Sequence, residues 1–314
     1  MIKPKILVVG SFVMDLIVTT KRFPNAGETV LGCDFQTAPG GKGANQAVQA
    51  ARLGAEVTMY GKVGDDDFGK AVLRTVRESG VNISHVACTK ETSTAIGNVQ
   101  IQSNDGGTEN RILLIPGANM KLTVDDIRDL QNSISKYDMV VLQNEIPMEV
   151  NVAVAQYAKE AGVPVMFNPA PSGVIPKELL SCLTYISPNE HETEDITGIV
   201  PTDEESRKAA AYALKKLGVK NVLMTLGENG CMFFDGENMM YGKSVPCEKV
   251  VDPTAAGDSF IGAFCTAVAS KKPIGEVLKF ANSTASITVS RMGAMPSLPT
   301  DEEVVHLMKE RKLI

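Results

Sequence analysis

Residues 38–64 read APGGKGANQAVQAARLGAEVTMYGKVG, and within them the pattern changes twice. A glycine-rich turn gives way to a helical stretch, ANQAVQAARLG (44–54), and then to an apolar run of strand length, VTMYGKVG (57–64). The helical stretch ends at Gly54, the residue type that most readily closes a helix. An earlier apolar run, ILVVG (6–10), lies upstream, so strand, helix and strand occur in turn.

The alternation continues along the chain. MVVLQNE (139–145), VPVMFNPA (163–170), TYISPNE (184–190) and VLMTLG (222–227) have strand length. FGKAVLRTVRESG (68–80), EVNVAVAQYAKEAG (149–162) and DEESRKAAAYALKKLG (203–218) have helical spacing and end in glycine. Strands alternating with helices predict an α/β fold, a doubly wound and mostly parallel central sheet flanked by helices. Residues 1–314 are read as one such domain. Two segments, 15–41 and 93–119, break the rhythm with stretches such as ETVLGCDFQTA and TAIGNVQIQSNDGGTENRILLIPGAN. They predict antiparallel strands that leave the main sheet as a small β lid, with NDGG at 104–107 as a hairpin turn.

Composition narrows the function. With 44% hydrophobic and 22% charged residues, the 314-residue chain has the make-up of a globular enzyme. A net charge of −6 without clustered Lys and Arg argues against broad nucleic-acid binding, while leaving room for an anionic ligand in a local pocket. Gly10 and Asp15 interrupt the N-terminal apolar run, which therefore reads as a buried strand and not a signal peptide. No apolar stretch reaches the roughly 18 residues that a membrane span needs. Cys33, Cys88, Cys182, Cys231, Cys247 and Cys265 are scattered without C-x-x-C spacing, mostly in apolar or small-residue surroundings, and are expected to be reduced thiols of a cytoplasmic protein.

In a parallel sheet, ligands bind beyond the carboxyl ends of the strands. The residues at those ends are polar or small: Ser11, Asp15, Asn144, Glu145, Asn168, Asn189, Glu190, Thr225 and Gly227. Strands that merely exit into polar loops would look similar one at a time; several together point to a shared cleft. The GGKG turn is not a Walker loop, because Gly43 follows Lys42 where a hydroxyl residue is needed. Gly40, Gly41 and Gly43 would still turn backbone amides toward a ligand, with Lys42 and Asn45 as donors to a polyhydroxylated or anionic group. The alternative is a tight turn between lid and helix.

Near the C-terminal end, DPTAAGDSF (252–260) sets small residues before an apolar helix. The amides of Ala255, Ala256 and Gly257 would form an anion hole at the helix N-terminus. Asp258 could simply complement the helix dipole; beside an anion hole, a carboxylate is also placed to take a proton from an attacking hydroxyl. Other motifs fail. His191 and Glu192 do not form H-E-x-x-H, since position 195 is Asp195. His85, His191 and His306 are too scattered for a convincing metal cluster. TLGENG (225–230) comes late and precedes a strand, and no G-x-G-x-x-G follows the first strand, so a nicotinamide dehydrogenase is unsupported.

Taken together, GGKGANQA (40–47), NPAP (168–171), PNE with Glu192 (188–192), TLGENG (225–230) and AAGDSF (255–260) resemble, in content and order, the ribokinase-like carbohydrate kinases of the PfkB family. The resemblance runs from Gly10 to Ser297. It implies transfer of the ATP γ-phosphoryl group to the 5-hydroxyl of a pentose, D-ribose by default, on an α/β sheet with a β lid often used for homodimerisation. By position, Asp258 would be the base, with Ala255, Ala256 and Gly257 as the anion hole. Asp15, Gly41, Lys42, Asn45 and Glu145 would bind the sugar. Asn189, Glu192, Thr225, Gly227, Gly230 and Asn282 would serve ATP and its Mg²⁺. Asp252, Thr254, Thr288, Arg291, Gly293 and Ser297 match the family's K⁺ site; Asp252 is otherwise a helix-entry turn residue. One departure stands out. Family members specific for ribose often carry Asn two residues before the sugar-binding Asp, and this chain has Val13 in GSFVMD. That favours 2-deoxyribose as a rival substrate, because valine cannot hydrogen-bond a 2-hydroxyl. Another furanose or nucleoside, or a catalytically silent sugar sensor on the same fold, are the further alternatives.

Overall fold

The computed structural model describes residues 3–104 and 107–314. The N-terminal third supplies strands β1 (Lys5–Val9), β2 (Val13–Thr20), β3 (Asp34–Gly40), β4 (Glu56–Gly64) and β5 (Asn82–Thr89). A long hairpin follows, β6 (Ala95–Asn104) with β7 (Gly107–Ile115). The remainder supplies β8 (Met139–Gln143), β9 (Val165–Asn168), β10 (Tyr185–Ile186), β11 (Asn221–Thr225), β12 (Cys231–Phe234) and β13 (Met239–Gly242).

Among the described residues the main sheet has nine strands in the order β13-β12-β11-β10-β9-β8-β1-β4-β5. Pairing is parallel from β11 to β5, and antiparallel for β11-β12 and β12-β13. The central strands are buried along their whole length, and apolar up to their last residues Gln143 and Asn168, because helices cover both faces. Alternation sends Ile6 and Val8 to one face, into a core with Val48, Val72 and Phe264. It sends Leu7 and Val9 to the other, against Val154 and Leu214. The helices Lys42–Arg52, Asp67–Glu78, Met148–Glu160 and Glu204–Lys216 lie close to the stretches expected from spacing. Gly54, Gly80, Gly162 and Gly218 close them at positive φ.

The lid is a separate four-stranded sheet, β3-β2-β6-β7. The sequence predicted antiparallel strands throughout, but its central pair, β2 with β6, is parallel. The reason is topological: β2 follows β1 and β6 follows β5, so both leave the same edge of a parallel sheet in the same direction. Only β3 and β7 return antiparallel. In ETVLGCDFQTA the strand begins at Asp34, and the preceding residues lie outside the sheet, all exposed except the half-buried Val30. The tip of the expected NDGG turn, Asp105 and Gly106, lies outside the described residues.

All six cysteines are free thiols. Three of them, Cys182, Cys231 and Cys265, are buried. No helix among the described residues is long and apolar enough to cross a membrane.

Candidate active site

Five adjacent parallel strands, β11, β10, β9, β8 and β1, deliver their carboxyl ends to one edge of the main sheet. There they place Thr225, Asn189, Asn168, Glu145 and the Gly10–Asp15 segment side by side. The Thr225 amide donates to the Pro188 carbonyl at 3.0 Å, tying two of these ends together. The scattered strand-end residues of the sequence therefore share an edge.

The helix Lys42–Arg52 starts directly after Gly41, whose φ of 96° only glycine adopts freely. A Cβ there would stand 2.9 Å from the Val13 nitrogen, and one on Gly43 would stand 2.5 Å from the Ser11 nitrogen. The missing side chains let the helix press on the β1–β2 connection. The Gly43 amide donates to Ser11 Oγ (3.2 Å), the Lys42 amide donates to Glu145 Oε2 (3.0 Å), and the Ser11 hydroxyl also donates to Glu145.

A second helix, Ala256–Ala269, brings Asp258 to the same place. Its first turn follows Ala255, which is left-handed at φ 61°, a strained conformation for a residue with a Cβ. The Ala256 amide donates to the Pro253 carbonyl (3.2 Å), so of the three expected anion-hole amides only those of Ala255 and Gly257 have no partner among the described residues. Asp258 is 7% exposed. Its Oδ2 accepts from Asn45 Nδ2 at 2.9 Å and its Oδ1 from Gln46 Nε2 at 3.0 Å. The two helices touch at Gly262, where a Cβ would lie 2.9 Å from the Gln46 carbonyl oxygen.

Charge is concentrated around this junction. Burial works against the Lys42 ammonium, yet the carboxylates of Asp258, Glu145 and Glu192 together hold its pKa above the ordinary lysine value. Burial pushes Glu145 upward, and Lys42 and the Ser11 hydroxyl offset part of that rise. Burial also raises Glu192, opposed by its hydrogen bond from the Asn189 amide and by Lys42. Asp15 is raised to about 6, first by burial and then by the Glu145 charge. It stands on β2 opposite Gly97 of β6, where a Cβ would come within 2.2 Å of Asp15 Oδ1. Val13, two residues away on the same face of β2, is 3% exposed and presents only methyl groups to that space.

The residues expected on the nucleotide side sit after β10, at and after the end of β11, and on the helix Ile274–Val289. Asn189 and Glu192 form a reciprocal capping box at the helix Glu190–Thr197, each side chain taking the other's amide at 2.8 Å. Gly227 starts a short exposed turn after β11, whereas Gly230 is buried, and a Cβ there would meet the Gly242 carbonyl at 2.1 Å. Chain packing thus explains Gly230. Asn282 donates to the Leu278 carbonyl (2.8 Å) and to Cys231 Sγ (3.3 Å). It packs against Gly242 and Leu278, which line a cleft of 600 Å³ with Met240, Val245 and Gly275.

Asp252 ties two loops together. Its Oδ1 accepts from the Thr254 amide and its Oδ2 from the Gly293 amide, both at 2.9 Å. Ser297 Oγ donates to the Ala294 carbonyl (2.7 Å) and the Thr288 carbonyl accepts from the Arg291 amide (3.1 Å).

Gln46, Gln143, Gly97 and Gly262 were not singled out in the sequence. Gln46 lies inside a quoted motif, but its partners are about 100 and 212 residues away. The two glycines owe their importance to chains that meet them only in the folded protein.

The chain matches the sequence pattern of the pfkB family carbohydrate kinases over residues 3–301. It is 40% identical to the ribokinase of Bacillus subtilis over 303 residues, 96% of this chain and 99% of that one. It is 38% identical to the ribokinase of Lactococcus lactis over 310 residues, 98% of each chain. Its fold superposes on Arabidopsis thaliana ribokinase, solved with ribose and ATP, with a TM-score of 0.90 at 37% identity, covering 98% of this chain and 99% of that one.

Proposed function

The chain belongs to the PfkB family of carbohydrate kinases, and from that premise we propose that it phosphorylates the 5-hydroxyl of D-ribose with ATP, giving D-ribose 5-phosphate and ADP. The observation that carries this reading is Asp258, a buried carboxylate at the mouth of a helix, held by Asn45 and Gln46 and facing Lys42.

In the proposed reaction Asp258 takes the proton of the 5-hydroxyl as its oxygen attacks the γ-phosphorus. The bond from that phosphorus to the bridging oxygen breaks, and ADP leaves with the electron pair. The amides of Ala255 and Gly257 receive the charge on the transferring group, joined by Ala256 when it gives up its bond to Pro253. Asp15, Gly41, Lys42, Asn45 and Glu145 hold the sugar, carboxylates accepting from its hydroxyls and amide and ammonium groups donating. Thr225 and Gly227 follow the ATP phosphates and ribose, with the buried Gly230 shaping the turn behind them, and Asn282 marks the base beside the 600 Å³ cleft.

Two ions accompany the reading, and the residues suit both. Glu192 keeps one carboxylate oxygen beyond its bond to Asn189, and with Asn189 it would hold the water shell of Mg²⁺. When bound, Mg²⁺ neutralises charge on the phosphates. Asp252, the carbonyls of Thr254, Thr288, Arg291 and Gly293, and the Ser297 hydroxyl make an all-oxygen donor set on loops that Asp252 already links, and would hold K⁺. When bound, K⁺ adds a fixed positive charge beside the anion-hole loop.

We read residues 1–314 as one cytoplasmic kinase domain that acts as a homodimer through the lid. Exposed Phe35, Ile112, Leu113 and Leu114 on β3 and β7, the two lid-edge strands, support the pairing. A second reading, 2-deoxyribose as the preferred sugar, is supported by the methyl groups of Val13 beside Asp15. Coupled-assay turnover of ATP with ribose, 2-deoxyribose, fructose and adenosine tests the proposal. Ribose first supports it, deoxyribose first favours the second reading, and tight sugar binding without any turnover would make the protein a sensor.

A further inference from the structure

Behind Asp258 lies a run of buried amides to which the reaction above gives no task. Gln143, the last residue of β8 and fully buried, donates its Nε2 to Gln46 Oε1 at 2.8 Å. Gln46, 1% exposed, donates its own Nε2 to Asp258 Oδ1 at 3.0 Å and, at 3.3 Å, to Asn168 Oδ1. Asn168 in turn donates to the Ser187 carbonyl at 3.0 Å. The run therefore crosses from the sheet to the carboxylate through β8 and β9.

A primary amide has one accepting and one donating end, so its direction has to be set by its neighbours. Turning Gln46 over would put its oxygen against the Asp258 carboxylate and its NH₂ against the Gln143 NH₂. Both contacts would be repulsive, and both are dry. The observed direction pairs both ends of the Gln46 amide, while Gln143 Oε1 is buried with no partner among the described residues.

Asp258 thus receives one N–H on each oxygen, from consecutive residues of one helix. The two partners are not equivalent. Asn45 is the one that the kinase reading assigns to the sugar, whereas Gln46 is fixed from behind by Gln143. We infer that Gln46 is a positioning residue: held by Gln143, it anchors Asp258 Oδ1 and leaves Oδ2 as the oxygen that takes the proton of the sugar hydroxyl. This inference rests on the proposed kinase reaction. In the step the hydroxyl O–H bond breaks and an Oδ2–H bond forms. Lys42, Glu145 and Glu192 are the charged groups that face Asp258 there.

Gln46→Met tests it, since methionine keeps the length and bulk of the side chain and removes its N–H. A misaimed base predicts a fall in kcat of roughly 10- to 100-fold. KM for ribose and for ATP should stay within about threefold of the original, because neither ligand is touched by Gln46. In an Asp258→Asn background the same substitution should cost nothing further, as expected of two residues acting as one unit. A kcat within about threefold of the wild type overturns the inference, as does a loss that persists undiminished beside Asp258→Asn. Should Gln46→Met fail to fold, Gln46→Leu is the second arm: it fills most of the same volume and has no N–H to give. It should lose kcat at least as far with KM held, and normal kcat in it is equally fatal. Failure of the wild-type protein to phosphorylate ribose would instead remove the kinase reading itself.

Discussion

Asn45 donates its side-chain amide proton to Asp258 Oδ2 at 2.9 Å, across 213 residues of chain. The bond joins the starts of two helices, one bearing the GGKGANQA turn and the other the AAGD turn. It places the carboxylate where both elements meet, which a general base between sugar and phosphate requires. Asp258→Asn should lower turnover by roughly 100- to 10,000-fold while ribose still binds. The substituted NH₂ can donate to Asn45 Oδ1, which is buried without a partner among the described residues, once the Asn45 amide turns over, so Tm should stay within a few degrees of the original. Coupled kinetics beside calorimetric ribose binding decide the matter, and near-normal turnover would remove Asp258 from the role.

Asp15 gives a pH dependence whose sign can be worked out. Burial and Glu145 raise its pKa from 3.8 to about 6, so the folded protein binds a proton there before the unfolded chain does. Ionisation of Asp15 therefore costs stability at neutral pH, and that cost disappears as the pH falls through about 6 toward 3.8. Sugar binding should run the other way, because only the carboxylate accepts freely from hydroxyls: ribose affinity should fall as Asp15 protonates. Asp15→Asn should raise Tm at neutral pH and remove the part of the pH dependence that Asp15 carries, along with most of the affinity. Ribose titrations from about pH 8 to about pH 5 check this, and a flat profile would contradict it.

How much of this was legible in the sequence follows from the range of each interaction. The parallel sheet was readable because strand and helix periods are local, and so was the stop at Gly54. The parallel pairing of β2 with β6 was not, since it depends on both strands leaving the same edge of a sheet whose order no local pattern encodes. Asp258, Asn45 and Lys42 could be named because they sit in compact motifs. Gln143 reads as the polar end of a strand, and only its distance to Gln46 gives it meaning.

Gly262 lies one turn beyond Asp258 at the contact between the two helices. A Cβ would stand 2.8 Å from Gln49 Cβ and 2.9 Å from the Gln46 carbonyl oxygen, and backbone cannot swing aside as a side-chain tip can. Alanine would gain about 1 kcal/mol in helix propensity but lose about 1–3 kcal/mol to overpacking, so strain prevails. Gly262→Ala should lower Tm and reduce kcat roughly tenfold by lengthening the bonds to Asp258. Unchanged kcat with lowered Tm would separate packing from alignment.

Asp252 bonds the amides of Thr254 and Gly293 and so fixes the loop that enters the Asp258 helix. If the oxygens around it hold K⁺, turnover should fall when sodium replaces potassium. Asp252→Asn should weaken the potassium response while still accepting from one of the two amides. Potassium titrations of both proteins give the measurement, and equal activity in either salt would count against the site.

Val13 is buried on the lid strand that carries Asp15, two residues before it and on the same face. Its methyl groups offer nothing to a hydroxyl, so ribose gains no hydrogen bond there, whereas 2-deoxyribose loses none. Asparagine would add a donor and an acceptor at that point. Left unpaired when the site is empty, they would cost about 1–3 kcal/mol of stability. Bonded to a 2-hydroxyl, they would return a similar amount, which amounts to roughly a 5- to 100-fold gain in kcat/KM for ribose over 2-deoxyribose. Val13→Asn should therefore lower Tm in the free protein, recover it with ribose, and recover little with 2-deoxyribose. If the ratio of kcat/KM for the two sugars does not move, Val13 lies outside the space that the 2-position occupies, and the second reading loses its support.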